Sequence, residues 1–256
     1  MWRHGDLDPE AVQRLKEARD RLDLSPLVVH DNYLINLAAF DPALRARSVA
    51  AFRAEIERCL AIGADYLVLH PGSYRGQSLE AGIQTLANSL VEAAAGRGSD
   101  HLTLLLENTA GAGSAIGSRF EELAEVRRTA GGRLDFRIGF CLDTAHCLAA
   151  GYDVSTAPAL EKTLREAHRA LGLDHVPVIH TNDSKAPLGS RVDRHAHIGQ
   201  GYIGIQGFRR ILHHPRLRDK AFILETPVDR EGDDRRNLLK LKRLCRKSRT
   251  TTSRSS

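Results

Sequence analysis

Six chemistry-bearing side chains recur along this chain at intervals close to the length of one strand–helix unit. His30, His70, Glu107, Asp143, His180 and Glu225 follow one another at 36 to 45 residues. Each falls at or near the C-terminal end of a short apolar run: Leu27–His30, Tyr66–His70, Leu102–Asn108, Arg137–Asp143, Pro177–Asn182 and Ala221–Thr226. Amphipathic stretches separate these runs, so the alternation predicts βα units and a parallel sheet. The runs are apolar almost throughout, as in strands covered on both faces. In a closed parallel barrel the strand ends converge on one face. Six imidazoles and carboxylates meeting there would repel or lie badly solvated unless a cation held them, which points to a metal cluster.

The helices between these runs carry readable punctuation. Asp8-Pro9 and Asp41-Pro42 each read as an N-cap followed by proline at the first helical position. The first helix is expected to place Val12, Leu15 and Leu22 on one stripe. Gly63, Gly96, Gly131-Gly132 and Gly172 stand where helices should end.

Two further segments extend the ligand set. In Gly139–His146, Asp143 closes a strand and His146 follows in what reads as a loop. In Ser190–His197, Asp193 and His195 are two apart and share a face if the backbone is extended. Nine candidates result: His30, His70, His146, His180 and His195 with Glu107, Asp143, Asp193 and Glu225. Nine donors imply two or three metals, and imidazole with carboxylate suits zinc, with manganese or iron as alternatives.

Composition excludes several classes. Hydrophobic residues are 42% and charged residues 27% of 256, which is ordinary for a globular chain. No apolar run approaches a membrane span, and the acidic start is unlike a secretory signal. Cys59, Cys141, Cys147 and Cys245 form no C-x-x-C pair and read as reduced thiols inside a cell, with Cys141 filling the core. Gly111, Gly113 and Gly117 lack the strand–helix context of a dinucleotide loop. His101, His168, His175, His213 and His214 read as surface or structural residues. The net charge of +5 is uneven: residues 230–256 hold ten Arg or Lys against three acids. That basic segment is either a solvated terminus or a non-specific contact to polyanions.

The stretches HDNYLINLA (30–38), LHPGS (69–73), LLENTAGAGS (105–114), CLDTAHCLAAGYD (141–153), HTNDSK (180–185), GSRVDRHAHIGQG (189–201) and ILET (223–226) resemble the endonuclease IV family. The resemblance runs in order from Trp2 to Asn237. It implies a TIM-type (β/α) barrel and zinc-dependent DNA repair. The reaction would hydrolyse the phosphodiester 5′ to apurinic/apyrimidinic sites in double-stranded DNA and leave a 3′-hydroxyl, with 3′-phosphodiesterase activity beside it. Three zinc ions are implied. His30, His70 and Glu107 would hold the first; Glu107, Asp143, His180 and Glu225 the second; His146, Asp193 and His195 the third. Glu107 and Glu225 would orient the nucleophile. Tyr33 and Leu34 would lie against DNA at the lesion, the alternative being that Tyr33 packs at the barrel rim. Asn182 and Lys185 are DNA-contact candidates, and with Asn108 and Asp183 they are equally readable as turn residues. A monomeric, cytoplasmic, nucleoid-associated protein of bacterial type is expected.

The family barrel has eight strands, whereas six are legible here. The first two βα units and most of a minor-groove loop are expected to be missing, with Trp2-Arg3 matching that loop's end. Met1 would then be internal to a longer protein; the alternatives are an open six-stranded sheet with weak DNA grip, or a decayed remnant. Residues 1–229 are read as the barrel domain and 230–256 as a C-terminal helix with a disordered basic tail. Two other functions compete: a metal-dependent sugar isomerase or epimerase on a related barrel, and a DNA-binding relative that does not cut.

Overall fold

The computed structural model describes residues 5–246. Trp2-Arg3 and the tail beyond Arg246 lie outside these residues, so the expectations placed on them are not addressed.

Six parallel strands form one curled sheet in sequential order: β1 (Val28–His30), β2 (Tyr66–Leu69), β3 (Gly98–Glu107), β4 (Asp135–Asp143), β5 (Val178–His180) and β8 (Ala221–Ile223). A two-stranded antiparallel ribbon, β6 (Asp183–Ser184) with β7 (His195–Ala196), sits between β5 and β8 in sequence, beyond the six strands that the sequence predicts. The helices are α1 (Pro9–Arg21), α2 (Pro42–Ile62), α3 (Leu79–Ala94), α4 (Phe120–Ala130), α5 (Thr144–Ala150), α6 (Ala157–Leu171), α7 (Gly204–His213) and α8 (Asp233–Cys245). From α2 onward, α2, α3, α4, α6, α7 and α8 pack each against the next as an outer layer.

The punctuation works as read. Asp8 accepts from the Glu10 amide at 3.1 Å and Asp41 from the Leu44 amide at 2.6 Å, each with proline following. Gly63 ends α2 in the left-handed conformation, φ 70°. The apolar residues of α1 are left uncovered: the helix buries no residue, and Leu15 and Leu22 are exposed. It packs beside α2 and reaches the Gly63 carbonyl and the Asp65 carboxylate through Arg19.

Side chains alternate across the sheet. Leu67, Leu69, Leu104, Leu106, Phe140, Leu142 and Ile179 point outward into the helical layer and form the main core. Val28, Val68, Leu105, Cys141, Val178 and Ile223 point inward and pack together as a smaller cluster. Cys141 is therefore a core residue as expected, and burial pushes its thiol up to about 12. Among the described residues β1 and β8 each pair on one side only, and their residues are half-buried. Helix α8 packs into the main core through Leu241 and Leu244.

Candidate metal centre

The inward apolar row is the floor of the site. Two residues further along each strand the next inward position is a ligand candidate: His30 above Val28, His70 above Val68, Glu107 above Leu105, Asp143 above Cys141, His180 above Val178 and Glu225 above Ile223. Strand periodicity and register therefore assemble six residues distant in sequence into one ring.

Glu107 is its hub, at the end of the central strand β3 and fully buried. Its Oε2 lies 3.0 Å from His30 Nε2 and 3.1 Å from His70 Nε2, and its Oε1 lies 2.8 Å from His180 Nδ1. Glu225 Oε2 is 3.1 Å from the same His180 nitrogen. On the other side, His146 Nε2 meets Asp193 Oδ1 at 3.2 Å, and His195 Nε2 lies 3.5 Å from Asp193 and 3.6 Å from Asp143 Oδ2.

His146 is not in a loop. Asp143 caps α5 by accepting the His146 amide at 2.7 Å, so one residue serves as strand end, helix cap and ligand candidate. The cap uses Oδ1 and leaves Oδ2 facing the centre.

Electrostatics report crowded, mutually stabilising charges. Burial opposes a charged Glu107, but His180, with His30 and His70, outweighs it and holds its carboxyl well below the usual range. Burial likewise opposes protonation of His30 and His146. Nearby carboxylates outweigh it, pushing His30 up to about 9 and His146 up to about 10. The hydrogen bond from His146 holds Asp193 low.

Ring orientation tests whether these donors suit metal. His30, His146 and His195 each donate Nδ1–H to a backbone carbonyl, of Asp31, Asn108 and Glu225 respectively, each at 2.9 Å. A carbonyl only accepts, so these bonds fix the proton on Nδ1 and aim the Nε2 lone pair inward in the neutral ring, as metal-ligating histidines are held. His195 Nε2 is moreover a buried nitrogen without a hydrogen-bond partner, which an ion would satisfy. Three sets of donors converge closely enough to hold ions: His30, Glu107 and His180; Glu107, Asp143, His180 and Glu225; and Asp143, His146 and His195. His70 adjoins the first set and Asp193 the third. The residues fit two or three metals.

One expected role changes. Asn182 is fully buried (0% exposed), so its side chain has no surface to offer DNA. Its amide donates to Asp143 Oδ2 at 2.5 Å while its oxygen accepts the Glu225 amide at 2.8 Å, bracing β4 against β8. Asn108 does the same one strand earlier: its oxygen accepts the Asp143 amide at 2.7 Å and its nitrogen donates to the Asp143 carbonyl at 3.3 Å. Glu107 is fully buried, whereas the Glu225 side chain is 33% exposed. Replacing Asn182 by Ala is expected to weaken metal uptake by about 10–100-fold, the usual cost of losing a group that orients ligands; zinc titration against a competing chelator measures it.

Tyr33 stands free on the loop leaving β1, 83% exposed, and is not packed at the rim; Leu34 beside it is half-buried and Lys185 is exposed. His197, outside the nine, hydrogen-bonds Asn237 at 3.0 Å and so joins the ribbon to α8; its place in the R-H-A-H run was the only available signal. A cavity of about 610 Å³ opens at the opposite ends of β2–β5 and is lined by none of the nine.

Comparison with known proteins agrees with this geometry. Residues 1–247 match the family model of xylose isomerase-like TIM barrels. A Solibacter usitatus protein named "Probable endonuclease 4" is 58% identical over 245 residues, covering 96% of this chain and 84% of that protein. One of the same name from Chloroflexus aurantiacus is 43% identical, covering 95% and 85%. The crystal structure of endonuclease IV from Thermus thermophilus superposes with a TM-score of 0.82 at 39% identity, covering 95% of this chain and 84% of that one. A D-tagatose 3-epimerase-like protein, at 21% identity and TM-score 0.68, shares the fold.

Proposed function

Because the chain belongs to the endonuclease IV family of xylose isomerase-like TIM barrels, we propose that it is an apurinic/apyrimidinic endonuclease of DNA repair. It hydrolyses the phosphodiester 5′ to abasic sites in double-stranded DNA, leaves a 3′-hydroxyl, and has 3′-phosphodiesterase activity. The observation that supports this most is the set of nine convergent donors with three imidazoles locked to present Nε2.

His30, His70 and Glu107 would hold one zinc ion, Glu107, Asp143, His180 and Glu225 a second, and His146, Asp193 and His195 a third. Five imidazoles among nine donors favour zinc over magnesium or calcium. Bound there, zinc supplies Lewis acidity toward phosphate oxygens and a lowered pKa for water. The chain's own residues do the rest. Glu225, partly exposed beside His180, orients the attacking water. Glu107 holds the surrounding histidines in register from below. Tyr33 offers an exposed ring for stacking at the lesion, a contact of about 1–3 kcal/mol. Leu34 supports it, and Lys185 faces the phosphate backbone. No described helix is long and apolar enough to cross a membrane; we place the protein in the cytoplasm, with the nucleoid, as a monomer.

The exposed pair member of the third group makes the test specific. Zinc-loaded protein is expected to cut a duplex carrying a tetrahydrofuran abasic analogue on its 5′ side, giving a 3′-hydroxyl, and the Asp193→Ala variant to lose this. Absence of cutting by folded protein that holds its zinc overturns the proposal.

A further inference from the structure

We propose that the Asp183 carboxylate is the positioning residue of the third metal group, an inference that rests on the zinc-site reading above. That group takes Asp193 and His195 from the segment around the β6–β7 ribbon, and the ribbon is only two residues long on each side. A hairpin of this size has no stability of its own. Asp193 lies outside any strand with its side chain 48% exposed. Something else must hold these two ligands to the geometry a metal needs.

Asp183 does so from both directions. Its backbone pairs with Ala196, next to His195, while the following Ser184 pairs with His195 itself and the Lys185 amide donates to the Arg194 carbonyl at 2.9 Å. Its side chain is fully buried. Oδ2 accepts the amides of Gly199 at 2.8 Å and Gly201 at 2.9 Å; Oδ1 accepts those of Ser184 and Ile203, each at 2.9 Å, and of Gly204 at 3.4 Å. Four of these five donors, Gly199 to Gly204, lie in the segment that runs from the end of the ribbon at Ala196 to the first residue of α7. One carboxylate thus fastens the chain on the far side of the ligand pair to the strand on its near side. The wrap is tight: a Cβ on Gly201 would lie 2.3 Å from the Ser184 carbonyl oxygen and 2.6 Å from Asp183 Oδ1.

The Asp183→Asn variant keeps the shape but turns an amide NH₂ toward backbone N–H donors, so at least one bond is lost and replaced by a donor–donor contact. Gly201→Ala strains the same loop without changing Asp183. Zinc stoichiometry and affinity are measured on the metal-stripped full chain by titration with a chromophoric chelator, and cobalt(II) spectra follow the sites individually. Both variants are expected to bind two equivalents as the parent does and the third about 10–100-fold more weakly, with incision recovering at high zinc. Three equivalents at parental affinity in either folded variant overturn the proposal. So does equal weakening of all three, which marks a merely structural role; if Asp183→Asn does not fold, Gly201→Ala decides alone. A parent protein that never binds a third equivalent overturns the zinc-site reading instead, and with it this proposal.

Discussion

Glu107→Gln is expected to abolish incision and to remove the first two zinc ions together, not one of them. Its carboxylate faces His30, His70 and His180 at 2.8–3.1 Å from complete burial. The amide offers one acceptor and one donor where two acceptors are needed. The loss should exceed the roughly 100-fold cost of deleting a group that only orients ligands. Metal analysis after gel filtration, beside single-turnover cleavage of an abasic duplex, separates the outcomes. A variant that retains all its zinc would show that Glu107 is a buried hydrogen-bond acceptor and no shared ligand.

Chelation is expected to have the second large effect, on stability. An ion present at about 1,000 times its Kd adds ~4 kcal/mol to a folded state that alone binds it. For a chain of this size that corresponds to a fall in Tm of about 8–16 °C per such site on stripping. The effect should grow with pH. In the metal-free protein His30 and His146, raised from 6.5 to about 9 and about 10, stabilise the fold as protonated rings. That contribution is complete below pH 6.5 and is lost as pH rises through 9–10. Metal needs the unprotonated rings, so its affinity rises over the same range. Stripped and loaded protein should therefore diverge between pH 6 and 9 in thermal melts. A gap that narrows with rising pH would contradict the assignment of these rings as ligands.

Much of the site was legible because its six strand-end members obey a local rule. A residue two past an inward apolar position is itself inward, so His30, His70, Glu107, Asp143, His180 and Glu225 could be aligned without knowing how the strands pair. The helix caps at Asp8 and Asp41 were readable for the same reason, since their hydrogen bonds close within three residues. Periodicity states which face of α1 is apolar and says nothing of what covers it, so its exposure follows only from the packed structure.

Roles set by long-range partners were not accessible in that way. Asn182 and Asp183 are neighbours in one polar run and equally suited to a turn or to a phosphate contact. Only the packed structure shows one bridging Asp143 and Glu225 and the other gathering the amides of residues 199–204. The sequence by itself determined the ligand types, their order and the barrel-like arrangement that brings strand ends together, because alternation and helix capping are short-range physics. Tertiary structure decided which nitrogens face the centre, which carboxylate is sealed and which reaches the open face. Those outcomes depend on hydrogen bonds and burial between residues about 30–80 apart, which no local pattern encodes.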